Sequence, residues 1–234
     1  MSEKWLDSSI ERKEAIVGRV RKIFDEIENE DEAPDKGQRI FEFFLSAIEI
    51  VPDYFWTNPS STTGKYHPED EFGEGGLALH TYKCLALGES MLRGMLHEDL
   101  CTTREKYNIG GLANVKKCFI IALALHDSFA SGKPGQLNSD KDGKLYTDGL
   151  HMLYVRSMLE DVEIKIRGFT GGTPTLAKET YFFNCIMCMI EGHYGPWSPN
   201  PQVTPADPLS KLVYFIDYIV SRKFVQIDVA TETD

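Results

Sequence analysis

The sequence predicts an all-α protein, a single helical bundle with long loops. Three observations carry this expectation. Apolar residues recur at helical spacing along most of the chain, strand-like alternation is sparse, and the breaks between periodic stretches are rich in Gly, Pro and Asp. The chain has 234 residues, 42% hydrophobic and 26% charged, enough for one domain with a sizeable core. No internal repeat is present.

The elements follow in order. "SSIERKEAIVGRVRKIFDEIE" places Ile16, Val20, Ile23 and Ile27 on one face and predicts a first helix, broken by "DEAPDKG". "QRIFEFFLSAIEIV" predicts a second helix, stopped by Pro52. Residues 52–75 read as a long loop whose aromatics Tyr54, Phe55, Trp56, Tyr66 and Phe72 argue for packing rather than disorder. Further helices are expected near 75–97, 113–127, 147–166, 175–193 and 207–223. "ANVKKCFIIALALHD" is apolar almost all round, which marks a central buried helix. "SGKPGQLNSDKDGK", "RGFTGGTPT" and "YGPWSPNPQVTPADP" carry turn chemistry. "FTGGTPT" lacks the lysine of a phosphate-binding loop and reads as a turn before a helix. The expected organisation is an N-terminal helical extension over 1–35 packed on a domain spanning 36–225, with a tail over 226–234.

Composition narrows the partners. A formal net charge of −11 argues against extended nucleic acid, which calls for a basic face. It is compatible with a small phosphorylated ligand, because a bound cation reverses the local field. No apolar run approaches the roughly 18–20 residues of a membrane span, and "MSEKWLDSSIERKE" lacks a secretory apolar core. A cytoplasmic protein without a membrane partner is therefore expected. The five cysteines would then be reduced thiols. Cys84, Cys118, Cys185 and Cys188 lie in apolar helical stretches and read as small buried hydrophobes. The C-x-x-C of "NCIMCMI" lacks the second pair of a zinc knuckle and the preceding strand of a redox site.

Histidines and buried acids supply the chemistry. His80 lies within "GGLALHTYKCLAL", His126 and Asp127 end "LALHD", His151 opens a helix in "TDGLHMLYV", and His193 ends one in "CMIEGHYG". Asp217 interrupts "KLVYFIDYIVS". A carboxylate inside an apolar helix has a large desolvation cost unless a charge or several donors meet it. Convergence of all six groups on divalent cations meets that cost, since imidazole and carboxylate suit Fe, Mn, Co, Ni or Zn. Six groups exceed what one ion needs if it is also to bind water and substrate. Two ions bridged by Asp127 would use them all.

The order H…HD…H…H…D on successive helices resembles the HD-domain phosphohydrolase superfamily. "PSSTTGKYHPEDEFGEGGLALHT", residues 59–81, is similar to the segment that opens many such domains. The resemblance covers about residues 40–223 and is closest to the branch holding 3′–5′ exoribonuclease HD domains and phage or prokaryotic HD proteins of unassigned role. It implies an HD-domain bundle with His80, His126, Asp127 and Asp217 on a first metal. His151 and His193, with Asp127 bridging, would hold a second. His67 matches a loop histidine near the site and is the candidate acid, whereas His97 matches nothing and reads as solvated. Many relatives continue the dyad as "HDIGK"; this chain has "HDSFASGK", with Ala130 at the lysine position. Lys83, which shares a helix face with His80, and Lys133 become the candidates for substrate phosphate. Arg156, Lys211, Arg222 and Lys223 read as solvated helix residues.

The activity implied by the resemblance is metal-dependent hydrolysis of a phosphoester, on a nucleotide or related small molecule. A metal-activated hydroxide oriented by Asp127 would attack. Tyr194 and Trp197, with the aromatics of the 54–72 loop, are candidates to stack on a base. Two alternatives share the ligand set: a di-iron oxygenase of HD type, and a non-catalytic metal-containing binding protein.

Overall fold

The structure is a computed structural model that describes residues 5–30, 37–61, 66–169, 181–198, 205, 207–225 and 227. It is all-α. The helices are α1 (Ser9–Glu30), α2 (Gly37–Glu49), α3 (Asp53–Thr57), α4 (Gly76–Leu92), α5 (His97–Tyr107), α6 (Leu112–Leu125), α7 (His151–Phe169), α8 (Tyr181–Glu191) and α9 (Pro208–Val220). Two 3₁₀ turns, Glu69–Glu71 and Gly195–Trp197, add to them. Among the described residues the only strands are β1 (Gly132–Lys133) and β2 (Gln136–Leu137), a two-residue antiparallel hairpin.

Helix α6 is the axis. Every residue from Phe119 to Leu125 is fully buried, and α1, α2, α4, α5, α8 and α9 pack around it. Its apolar circumference is the cause, because a helix with no polar face must be covered on all sides. Ile16, Val20, Ile23, Phe24 and Ile27 of α1 enter the same core. At about 1.5–3 kcal/mol per buried side chain, these five rival the net stability of a whole domain. The first helix is thus built into the core that residues 37–225 form. Arg12 seals it: fully buried, it donates to the carbonyls of Trp5 (3.2 Å), Leu6 (3.0 Å) and Trp56 (2.5 Å) and pairs with Glu74 at 3.1 Å.

Two helices depart from the sequence expectation. Asp53–Thr57 forms α3 inside the expected loop and buries Tyr54, Phe55 and Trp56. The Tyr54 hydroxyl then donates to the Gly132 carbonyl at 2.6 Å, fastening α3 to the hairpin. Helix α5 has almost no apolar stripe, yet its charges follow the helix dipole, with Glu98 and Asp99 in the first turn and Arg104 and Lys106 in the last. Asn108, at φ 50°, ends it in the left-handed conformation that asparagine tolerates. Asp207 caps α9 through the Ser210 amide and also accepts from Tyr107 (2.9 Å) and Lys106 (3.2 Å), pinning α5 to α9.

Helix α4 ends at Leu92, five residues before the expected boundary. The glycine-threonine turn after Phe169, the start of the helix expected from 175, and all of the tail except Ile227 lie outside the described residues. No single described helix is long and apolar enough to cross a membrane.

Candidate metal centre

Five of the six histidines form one row of rings. Adjacent centroids lie 5.1 Å apart for His67–His80, 5.5 Å for His80–His126, 5.3 Å for His126–His193 and 5.1 Å for His193–His151. They come from the 67–71 segment, the second turn of α4, the carboxyl ends of α6 and α8, and the first residue of α7. Asp127 follows α6, and Asp217 lies in the last turn of α9. His97 stands apart and is exposed.

Asp127 divides its two oxygens between histidine pairs. Oδ1 lies 2.9 Å from His151 Nε2 and 3.7 Å from His193 Nε2. Oδ2 lies 3.5 Å from His126 Nε2 and 3.9 Å from His80 Nε2. Asp217 Oδ1 completes the second pair, at 3.1 Å from His80 Nε2 and 3.9 Å from His126 Nε2. All four imidazoles are buried. The six residues picked from sequence therefore lie together at one place, Asp127 between His80–His126 and His151–His193.

The ring tautomers suit ligation. His126 Nδ1 donates to the Leu123 carbonyl (2.8 Å), His151 Nδ1 to the Asp148 carbonyl (2.8 Å), and His193 Nδ1 to the Ile190 carbonyl (2.6 Å). A carbonyl can only accept, so Nδ1 carries the proton and Nε2 presents its lone pair inward. For His126 and His193 the partner is a carbonyl in the last turn of a helix, and the Ile190 carbonyl also accepts from the His193 amide at 3.2 Å. His126 Nε2 and His151 Nε2 are buried without an aligned hydrogen-bond partner, although a carboxylate oxygen lies close to each. Ligand atoms that crowd together without hydrogen-bond alignment fit a shared cation. With metal–ligand bonds of about 2.0–2.2 Å, neighbouring donors sit roughly 3–3.5 Å apart. The residues present thus can hold divalent cations.

Glu71 was not legible as a site residue. It is fully buried, and its Oε2 accepts from His67 Nδ1 (2.8 Å) and lies 3.4 Å from His80 Nδ1. A carboxylate behind an imidazole can orient it as a metal ligand, although His80 Nδ1 has no aligned hydrogen bond to Glu71. Lys83 faces this carboxylate: its buried ammonium is held by Glu71 Oε1 (3.0 Å) and Asp70 (2.7 Å). Lys83, expected as a phosphate contact, thus has its ammonium paired with two carboxylates. Two glycines permit the approach. Gly75 has φ 80°, and a Cβ on it would meet the Arg12 guanidinium at 2.5 Å; a Cβ on Gly76 would lie 2.0 Å from the Glu71 carbonyl oxygen.

Lys133 remains near the His151 side. Its ammonium lies over the Tyr154 ring, and Tyr154 donates to Asp148, whose carbonyl holds His151. Ala130 is buried, and its carbonyl accepts from the Asp148 amide at 2.6 Å, so the lysine position of "HDIGK" is closed. Arg156 is spent on Glu191. Tyr194 stacks on His193, with centroids 4.8 Å apart and planes 22° from parallel. Tyr66 and Phe72 are exposed, beside Arg222 and Lys223 respectively. Residues 62–65 and the Trp197 side chain lie outside the described residues.

Electrostatics couple cations to protons. Burial opposes ionisation of Asp127, but the imidazoles of His126, His151 and His193 outweigh it and hold the carboxyl well below its usual range. Burial likewise opposes the charged forms of His80 and His151. Cys84, Glu71 and Asp217 raise the first nonetheless, and Asp127 raises the second. His193, by contrast, is pushed down to about 4 by burial and by its imidazole neighbours. A cation bound here would therefore compete with protons at His80 and His151 more than at His193. Affinity should rise with pH, by about tenfold per unit for each proton displaced, until the pH passes the raised values of His80 and His151, and then level off. Proton release during a Mn²⁺ titration at constant pH measures this; pH-independent affinity without release would refute it.

Comparison with protein-family models, curated proteins and solved structures finds no match to this chain.

Proposed function

We propose that this chain is a metal-dependent phosphohydrolase of HD type, acting on a phosphoester of a nucleotide or related small phosphorylated molecule. The observation that carries the reading is the division of Asp127, one oxygen toward His80 and His126 and the other toward His151 and His193. A bridging carboxylate of this kind suits two cations, with Asp217 as a further donor to the first. Bound divalent cations would supply water activation near neutral pH and charge compensation for the phosphate.

The chain's own residues have separable roles. Asp127 orients the attacking water between the two pairs. His67 is one-sixth exposed and fixed through Nδ1 by Glu71, leaving Nε2 to carry a proton to the leaving oxygen. Lys133 is the remaining lysine candidate for phosphate. Tyr66 and Phe72, with Arg222 and Lys223 beside them, suit a base and its charged tail. The acidic chain suits a small substrate rather than extended nucleic acid, and a cytoplasmic setting goes with this reading.

Elemental analysis, a phosphate-release screen across nucleotides with Mn²⁺ or Co²⁺, and an oxygen electrode test it together. The expected result is two cations per chain, phosphate release from one substrate class, and no oxygen demand. Oxygen consumption without phosphate release would replace the reading with an oxygenase. Failure to bind cations would remove it.

A further inference from the structure

Cys84 lies one turn after His80 on α4, so both side chains share a face. Its sulfur is 3.6 Å from His80 Nε2, and the ligand atoms of His80, Cys84 and His126 all lie within 4.8 Å of one another. All three residues are fully buried. We infer that the Cys84 sulfur is a ligand of the cation held by His80 and His126, which makes that half of the centre a nitrogen–oxygen–sulfur site. The inference rests on the proposed cation and goes beyond it by adding a donor.

The distances carry it. A metal–sulfur bond of about 2.3 Å and a metal–nitrogen bond of about 2.0–2.1 Å, opened to a tetrahedral angle, put the two donors about 3.5–3.6 Å apart. The observed separation of 3.6 Å matches that edge. Hydrogen bonding accounts for the cluster less well. Asp217 Oδ1, 3.1 Å from His80 Nε2, calls for a proton on that nitrogen, so the Cys84 sulfur at 3.6 Å could only share that N–H as a weak second acceptor. His126 Nε2, buried beside them, is unpartnered. A cation satisfies every one of these atoms as a donor. The other buried thiols lie elsewhere: Cys118 meets the Phe182 carbonyl, and Cys185 lies beside Cys118.

Coordination involves no redox change. The S–H bond breaks, a sulfur–metal bond forms, and one proton leaves to solvent. Burial pushes the free thiol up to about 11, so the cation itself must drive this loss. A thiolate among imidazole and carboxylate shifts preference from Mg²⁺ toward Zn²⁺, Co²⁺ and Fe²⁺.

Cobalt titration of the full chain, with C84S and C84A alongside, gives a readout independent of turnover. The wild type should show a near-ultraviolet sulfur-to-cobalt charge-transfer band together with visible d–d bands. C84S should keep the d–d bands, lose the charge-transfer band, and lose Zn²⁺ affinity relative to Mg²⁺ by about 10–100-fold. X-ray absorption of the zinc-loaded wild type should find a sulfur neighbour at about 2.3 Å, which needs no variant to fold. Cobalt bound with d–d bands but no charge-transfer band, and zinc without a sulfur neighbour, would overturn the role of Cys84 and leave the cation site standing. No cobalt bound at all would overturn the proposed function and this inference with it.

Discussion

Asp127→Ala should abolish turnover while leaving the helical bundle intact. Loss of a single outer-sphere partner of a metal ligand typically costs about 10–100-fold in affinity or activity. As the proposed bridging ligand Asp127 would stand inside that sphere for both histidine pairs, so the expected loss in kcat/KM is on the order of 10³-fold or more. Metal content should fall from the proposed two cations to one or none, because the His151–His193 pair loses the one carboxylate that lies within 4 Å of it among the described residues. The fold should survive: the Asp127 side chain contacts the imidazoles, and three of those rings keep their own carbonyl anchors. Phosphate release, metal analysis and the melting curve of the variant check this. Unchanged turnover would place the chemistry elsewhere.

Gly76→Ala should be the most damaging single methyl group near the centre. Its Cβ would fall 2.0 Å from the Glu71 carbonyl oxygen and 3.0 Å from the Ser60 amide, both backbone atoms that cannot swing aside. Relief requires separating the 69–71 turn from α4, which breaks the 3.1 Å Ser60-to-Glu71 backbone bond and draws Glu71 away from His80, His67 and Lys83. Overpacking of this kind costs about 2–3 kcal/mol, or roughly 5–10 °C in Tm for a chain of this size. Cation affinity should drop about 10–100-fold along with it. Glu71→Gln separates the two effects, keeping the packing while weakening the hold on His80, so affinity falls with a smaller loss of Tm. Gly18→Ala is the contrast: exposed in the middle of α1 with open space around it, it should stabilise by about 0.5–1 kcal/mol. Equal melting temperatures for Gly76→Ala and Gly18→Ala would show that the turn does not hold Glu71 in place.

The sequence disclosed the helices that bury a stripe or a whole circumference, as α1, α2, α6 and α9 do. It concealed α5, whose helicity rests on charges and on Asp207 a hundred residues away, and α3, five residues within a stretch of loop composition. The six proposed ligands stood out because each interrupts apolar surroundings. Glu71 did not, since it sits in "HPEDEFGE", where acids are ordinarily solvated; only its spacing of four from His67 hinted at a shared turn. Cys84 failed for the opposite reason. A cysteine in an apolar helix raises no conflict, so nothing in "LHTYKCLAL" sets it apart from a packing residue until His80 Nε2 is seen beside it. Lys83 shared the face of His80 as its spacing predicted, but spacing could not reveal the two carboxylates awaiting it.

His126, His151 and His193 each bind the carbonyl three residues before them. Each ring is consequently positioned by a four-residue stretch of its own backbone, independent of the other two. The cage is a set of prefabricated parts, and the bundle has only to bring the parts together. If the proposed cations bind here, removing them should free no ring and unravel no helix, so metal exchange would resemble a ligand entering a rigid pocket more than the folding transition of a zinc finger. The same independence makes the motif portable: a histidine placed three residues beyond a carbonyl at a helix terminus arrives with its tautomer already chosen.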